Sequence, residues 1–198
     1  SPHGSLFTDA FSINAHTHFV SDFEQFGDLT TKLEWTGADS LAAKIKQGIE
    51  NEDVPLQLIS QEQLDHGSTI PLYGLTKHLP DIKILPIGYS ELESKIHLKF
   101  GESLKEVIME SNKRIAVIAS GDLSHALTTD APAGFSKTGQ EFDNKIIELL
   151  ENKNTTGIAN MDDKIVDSAS ECGYRSILIL LGILKNMDYS FKNYSYEA

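Results

Sequence analysis

The chain has 198 residues, of which 29 are acidic and 17 are Lys or Arg, so its formal net charge is −12 at pH 7. This charge argues against binding to the phosphate backbone of nucleic acids. A single cysteine excludes a disulfide framework and a cysteine-based zinc motif, and it predicts a reducing, cytoplasmic location. The longest apolar stretch, residues 177–184, is too short to span a bilayer, so no membrane partner is expected.

Strand-like and helical patterns alternate along the chain. Apolar or alternating runs predict strands at 11–14, 29–35, 55–59, 82–87, 115–119 and 187–196. Apolar residues at helical spacing predict helices at 38–49, 68–79, 92–110, 138–150, 162–169 and 176–184. The segment between the first two strands, residues 15–27, is typical of a polar and aromatic loop. This alternation predicts the α/β class, as a three-layer α/β/α sandwich around a mixed, mostly parallel sheet.

The most informative motif is Ser-Gly-Asp-Leu-Ser-His at residues 120–125, directly after the predicted strand 115–119. In an open α/β sheet, ligands bind at the carboxyl ends of the strands. The carboxylate of Asp122, three residues before His125, can orient the imidazole and fix its tautomer. The alternative is that Asp122 caps the next helix. Because imidazole titrates near neutral pH, His125 is a candidate acid–base residue.

A similar Asp-His-Gly unit occurs at residues 65–67. His66 is a second acid–base candidate, while Asp65 is either part of the site or the N-cap of the helix that follows. A third histidine, His3, stands in a Ser-Pro-His unit. Glu171 precedes the apolar helix 176–184, where it is either a metal ligand or a complement to the helix dipole.

The remaining polar residues are weaker candidates for a metal site or a catalytic role. His16 and His18 are interpreted as solvated loop residues. Ser124 is a weak nucleophile candidate, because its surroundings do not form a Gly-x-Ser-x-Gly turn. Histidine and carboxylate ligands with open positions suit non-haem Fe(II), and zinc is the competing metal.

Six segments, in order, resemble the catalytic subunit of class III extradiol ring-cleavage dioxygenases, the family of protocatechuate 4,5-dioxygenase. The matching segments are 1–3, 22–27, 64–72, 120–125, 134–143 and 171–176. The likeness is greatest to a bacterial branch that carries an AMMECR-type domain and is related to Memo proteins. The resemblance implies one dioxygenase-like domain over 1–198 and a homodimer. It also implies that the chain lacks the family's N-terminal strand, with its first histidine ligand, and any following domain, so the metal site is expected to be incomplete.

The resemblance also implies roles for individual residues. His3 matches a histidine ligand, and His125 matches the acid–base residue that deprotonates a catechol hydroxyl. His66 matches a histidine near the substrate and O₂. The carboxylate ligand falls at Glu171, or is replaced by Cys172, whose thiolate would favour zinc or copper over Fe(II).

Two functional hypotheses follow. The first is extradiol cleavage of a small catechol-type aromatic by Fe(II) and O₂, with His125 steered by Asp122, which is a function in aromatic catabolism. The alternative is a Memo-like metal- or redox-linked binding module without dioxygenase activity, whose metal is zinc, copper or none. A third interpretation is an α/β domain that has lost its activity.

Overall fold

The computed structural model describes residues 1, 3–50, 52–131 and 133–196. The chain divides into two compact units. The first consists of Ser1–Leu92 and Glu106–Ala116, and the second consists of Glu93–Lys105 and Val117–Ala198. Within the described ranges, no helix is long and apolar enough to cross a membrane.

The strands of the described residues all lie in the first unit. They are β1 (Phe11–Asn14), β2 (His18–Phe23), β3 (Asp28–Gly37), β4 (Leu56–Ile59), β5 (Lys83–Ile84) and β6 (Ile87–Gly88). They form two three-stranded sheets, in the orders β4-β1-β6 and β2-β3-β5. In each sheet the central strand has one parallel and one antiparallel neighbour. The predicted α/β class and the mixed character of the sheets are therefore confirmed.

Burial explains why these residues form strands. All four residues of β1 are buried, the pattern of a strand in a sheet whose two faces are both covered. In β3, by contrast, the final residues alternate between exposed and buried positions, the pattern of a strand with one solvated face. The core beside β2 and β3 is formed by Phe19, Trp35, Leu64 and Ile84.

The helices are α1 (Asp39–Ile49), α2 (His66–Thr76), α3 (Ser94–Glu110), α4 (Lys137–Glu151), α5 (Thr155–Ala159), α6 (Asp163–Ala169) and α7 (Tyr174–Leu184). Helices α4 to α7 and the first part of α3 belong to the second unit. The core of this unit includes buried residues of α4 and α7 that recur at helical spacing, since one apolar face of each helix turns inward. Those core residues are Phe142, Ile146, Leu149, Tyr174, Leu178 and Leu181.

Some predicted elements differ from the structure. Residues 115–119 and 187–196 are predicted strands, but the described chain gives them no regular structure. Apolar composition supplies strand propensity without supplying a hydrogen-bonded neighbour, and Val117 and Ile118 are 40% and 44% exposed. The segment 15–27 is not all loop, because β2 begins at His18 and pairs with β3. The predicted strand 82–87 is split into β5 and β6, which join different sheets.

Candidate functional site

The motif at residues 120–125, here called the site loop, is fixed to the segment just before α7 by hydrogen bonds. The carbonyl oxygen of Asp122 accepts the N–H groups of Cys172 at 3.2 Å and Gly173 at 2.9 Å. The N–H of Asp122 in turn donates to Cys172 Sγ at 3.1 Å. Gly121 has a φ of 152°, and a Cβ on it would lie 2.4 Å from the Cα of Gly173. Only glycine fits at residue 121. The close approach of Gly121 to Gly173 places the thiol of Cys172 beside Asp122.

Within the site loop, the predicted pair of Asp122 and His125 is formed. Oδ2 of Asp122 lies 3.3 Å from Nε2 of His125. The Asp122 side chain is 77% exposed and that of His125 is 35% exposed. The next helix, α4, begins only at Lys137, so Asp122 caps no helix there. The backbone N–H of His125 donates to the carbonyl oxygen of Ala169 at 3.0 Å, and this bond holds the backbone that carries the imidazole.

Cys172 adds a third donor atom to this pair. One potential ligand atom from each of Asp122, His125 and Cys172 lies within 4.8 Å of the other two. Among the described residues, these three side chains form the group that could hold a metal ion. Cys172 is 8% exposed. Burial raises the pKa of its thiol, and the nearby carboxylates of Asp122 and Glu171 raise it further. The group therefore presents nitrogen, oxygen and a protonated sulfur at neutral pH.

Glu171 has a different local role. Its Oε2 accepts the N–H of Tyr174, the first residue of α7, at 2.5 Å. Burial raises the pKa of the Glu171 carboxyl, although that hydrogen bond and the charge of Arg175 oppose the shift. The carboxylate thus accepts an amide of the first turn of α7, where a negative charge is favourable. It is not a member of the three-donor group.

In the first unit, Asp65 caps α2, which confirms the capping alternative. Its carboxylate accepts the Ser68 N–H at 3.0 Å and the Ser68 hydroxyl at 2.9 Å. It also accepts the Ser1 hydroxyl at 2.5 Å. With these donors, both carboxylate oxygens are engaged by neighbours on the chain.

His66 is the first residue of α2 and stacks on His3, with ring centroids 4.2 Å apart and an angle of 28° between the planes. The exposed ring of Phe26 meets His66 edge-on, with centroids 6.0 Å apart. Both imidazoles line a cleft of about 510 Å³, whose wall also contains Asp22 and Glu24. The sequence motifs place these groups near strand and helix ends, but nothing in their spacing indicates the stacking.

The structure therefore joins His3 with His66 in the first unit, and it joins Cys172 with the Asp122–His125 pair in the second. The metal ligand set of His3 with Glu171 or Cys172 stays a prediction.

Two of the three remaining candidates, His16 and Ser124, have hydrogen-bond partners nearby. His16 Nδ1 lies 2.8 Å from the Ser60 hydroxyl, and His18 is an exposed residue at the start of β2. The Ser124 hydroxyl donates to the carbonyl oxygen of Ala169 at 2.9 Å and accepts the N–H of Ala126 at 3.0 Å. Both hydrogen bonds of the Ser124 hydroxyl thereby stabilise the conformation of the site loop.

Comparison with known proteins gives a match over the whole chain. The family model described as the catalytic LigB subunit of aromatic ring-opening dioxygenase matches residues 1–198. Protein CA_C1420 of Clostridium acetobutylicum is 31% identical over all of this chain, which covers 44% of that protein. A MEMO1 family protein of Methanosarcina mazei is 32% identical over 54% of the chain and 37% of its own length.

A dioxygenase is also among the relatives. The 2,3-dihydroxyphenylpropionate/2,3-dihydroxicinnamic acid 1,2-dioxygenase 1 of Dechloromonas aromatica is 27% identical over 52% of the chain and 35% of its own length. The chain thus spans less than half the length of each of these relatives.

Proposed function

Because the chain belongs to the family of catalytic LigB subunits of aromatic ring-opening dioxygenases, we propose that it serves extradiol cleavage of a catechol-type aromatic by O₂. In this proposal His125 is the acid–base residue. The observation that carries it is the Asp122–His125 pair, 3.3 Å apart on a loop that backbone hydrogen bonds hold in place. The dihydroxylated aromatic in the name of the Dechloromonas relative supports the substrate class.

The chemistry of His125 follows from its pairing. When Nε2 carries the proton and donates to Asp122, Nδ1 is the basic nitrogen that takes a proton from a catechol hydroxyl. The carboxylate of Asp122 then stabilises the resulting imidazolium, as the aspartate of a catalytic triad does for its histidine. Because the side chain of His125 is 35% exposed, the ring is open to a small ligand.

The donor atoms bear on the metal. Non-haem Fe(II) in oxygenases is held by two histidines and a carboxylate, with open positions. The group of Asp122, His125 and Cys172 offers one imidazole and a thiol instead, a set that suits zinc or copper better. In the dioxygenase proposal, His3 with Glu171 or Cys172 would hold Fe(II). When bound, Fe(II) would supply positions for the catecholate and O₂.

The test is a ring-cleavage assay on a panel of catechols, with the protein loaded with Fe(II) under anaerobic conditions before O₂ is admitted. We expect His125→Ala to lower kcat by roughly 10²- to 10⁴-fold, the usual contribution of a general base. Its iron content should equal that of the wild type. His18→Ala, which removes an exposed histidine of β2, is the matched control and should retain full turnover. Equal turnover in His125→Ala and wild type would reject the role of His125.

A second candidate function is a Memo-like metal-binding module. It is favoured by the mixed nitrogen, oxygen and sulfur donors of Asp122, His125 and Cys172, and by the similarity to a MEMO1 family protein. Co(II) titration tests it, because a cobalt–thiolate bond gives a charge-transfer absorption band. We expect Cys172→Ser to lose that band, whereas Glu171→Gln should retain it. A Cys172→Ser protein with unchanged zinc and copper affinity would exclude a thiolate site.

A further inference from the structure

A buried carboxylate outside the three-donor group reaches the site loop. Asp143 on α4 is 0% exposed. Its Oδ1 accepts the N–H of Ser124 at 2.8 Å. Ser124 lies between Asp122 and His125 in the chain, so this bond fixes the backbone that separates the two members of the pair. A hydrogen bond from a backbone amide to a charged acceptor is among the stronger ones.

Helix α4 approaches the site loop without a gap. Gly139 lies one turn before Asp143, and a Cβ on it would lie 2.5 Å from the hydroxyl of Ser124 and 3.1 Å from the carbonyl oxygen of Ala126. A side chain at residue 139 would have to displace the Ser124 hydroxyl, which donates to Ala169, or shift α4 relative to the site loop. The glycine is therefore part of the geometry that brings Asp143 within reach of the loop.

The second oxygen of Asp143 is held by the C-terminal segment, residues 187–196. Tyr196 donates its hydroxyl hydrogen to Asp143 Oδ2 at 2.7 Å, and its oxygen accepts a hydrogen bond from Gln140 at 3.1 Å. Near the other end of α4, Lys153 lies over the ring of Tyr189 at 5.0 Å. The segment thus contacts the first half of α4 and the turn that follows this helix, although it has no regular structure of its own.

The hydroxyl of Tyr196 remains a donor at neutral pH. Burial raises the pKa of the Tyr196 phenol, and the bond to Asp143 raises it further. Without this donor, the buried carboxylate would have to admit water or rotate, and rotation would withdraw Oδ1 from Ser124. Leaving a buried charged acceptor without its partner is costly, so one of these changes must follow.

We propose that Asp143 is the positioning residue for the Asp122–His125 pair, and that Tyr196 makes the C-terminal segment a strap that holds Asp143 in its working orientation. The strap acts on the pair through one shared carboxylate. Its consequence for catalysis rests on the proposed function of His125, whereas the coupling itself does not. A partner or a modification that detaches Tyr196 would therefore loosen the site loop.

Amide hydrogen exchange at Ser124, measured by NMR, tests this coupling without any assay of activity. We expect Tyr196→Phe to accelerate exchange of the Ser124 amide roughly tenfold, as loss of one hydrogen bond to a charged group allows. Tyr194→Phe is the matched control, since Tyr194 is two residues away on the same segment and 86% exposed, and it should leave the exchange rate unchanged.

A double-mutant cycle separates positioning from general stability. Asp143→Asn keeps an oxygen for the Ser124 amide, so it should fold and should itself accelerate exchange there. Tyr196→Phe added to Asp143→Asn should have little further effect, because coupled residues are not additive. Unchanged exchange at Ser124 in Tyr196→Phe, or equal acceleration across all amides of the second unit, would overturn the proposal.

The same variants keep this test distinct from that of the proposed function. If ring cleavage is observed, Tyr196→Phe should lower kcat while KM stays the same, since the strap acts on the acid–base pair and not on ligand contacts. If no ring cleavage is observed in any variant, the exchange result at Ser124 still decides whether the strap positions the loop.

Discussion

Two regions of the molecule place an aspartate close to a histidine in the chain, yet they use the carboxylate differently. In the first unit, α2 begins at His66, directly after Asp65, so the Asp65 carboxylate accepts the Ser68 amide in the first turn of the helix. In the second unit, the described residues between the site loop and Lys137 form no helix, and the Asp122 carboxylate pairs with His125. Of these two aspartates, the one at a helix start is occupied as a cap, and the other is the one that pairs with a histidine.

The two regions also differ in what holds their backbone. A helix cap, which side-chain oxygens provide, defines the region around Asp65. The site loop depends on close backbone contact between Gly121 and Gly173 and on hydrogen bonds to residues far along the chain. Truncating a side chain should therefore lower stability more in the region around Asp65. Adding atoms to a glycine should lower stability more in the site loop.

The largest effect is expected from Gly121→Ala. The new Cβ would meet the Cα of Gly173 at 2.4 Å at a left-handed φ, so we expect a loss of about 2–4 kcal/mol in the free energy of unfolding. The matched control is Gly74→Ala in α2, where a Cβ meets nothing within 4 Å and a gain of up to about 1 kcal/mol is expected. Urea unfolding followed by circular dichroism measures both, and a tolerated Gly121→Ala would show that the contact can relax.

A smaller and opposite contrast is expected from removing the two aspartates. Asp65→Ala removes the N-cap of α2 and should cost about 1–2 kcal/mol of stability. Asp122→Ala removes a side chain that is 77% exposed, so it should change stability by less than about 0.5 kcal/mol. The same urea experiment compares them. Equal losses in the two variants would mean that the Asp122 carboxylate stabilises the fold as much as the Asp65 cap does.

The sequence predicts well the features that depend on residues close together in the chain, and it predicts poorly those that depend on distant residues. Strand β1 is predicted residue for residue at 11–14, and the pairing of Asp122 with His125 follows from a spacing of three. The family suggested by six short segments is confirmed by the match over residues 1–198. The predicted strand at 115–119 is wrong, because its apolar pattern says nothing about whether a partner strand lies beside it.

Interactions between distant residues are the ones the sequence does not reveal. Asp143 lies 19 residues from Ser124 and 53 from Tyr196, and its helical neighbourhood is typical of an ordinary amphipathic helix. Its burial at a position between a loop and a terminal segment arises only from the packing of α4. The stacking of His3 on His66 is likewise set by the fold, since these residues lie far apart in the chain.

The smallest expected effect concerns Glu171, whose raised pKa makes the effect on stability depend on pH. Burial raises the folded-state pKa of Glu171 above the ordinary value of 4.5, so the ionised carboxylate is disfavoured in the folded protein relative to the unfolded chain. The stabilising effect of its protonated form is complete below that ordinary value and is lost as the pH rises through the raised pKa.

Glu171→Gln carries no charge but keeps an oxygen for the Tyr174 amide. It should therefore be more stable than wild type at pH 7, by no more than about 0.5 kcal/mol, and the difference should vanish below pH 4.5. Parallel urea titrations at the two pH values measure this difference. A Glu171→Gln protein that is less stable at pH 7 would instead mean that the charge of Glu171 at the start of α7 outweighs the cost of its burial, so the buried acid would stabilise its helix as Asp65 does.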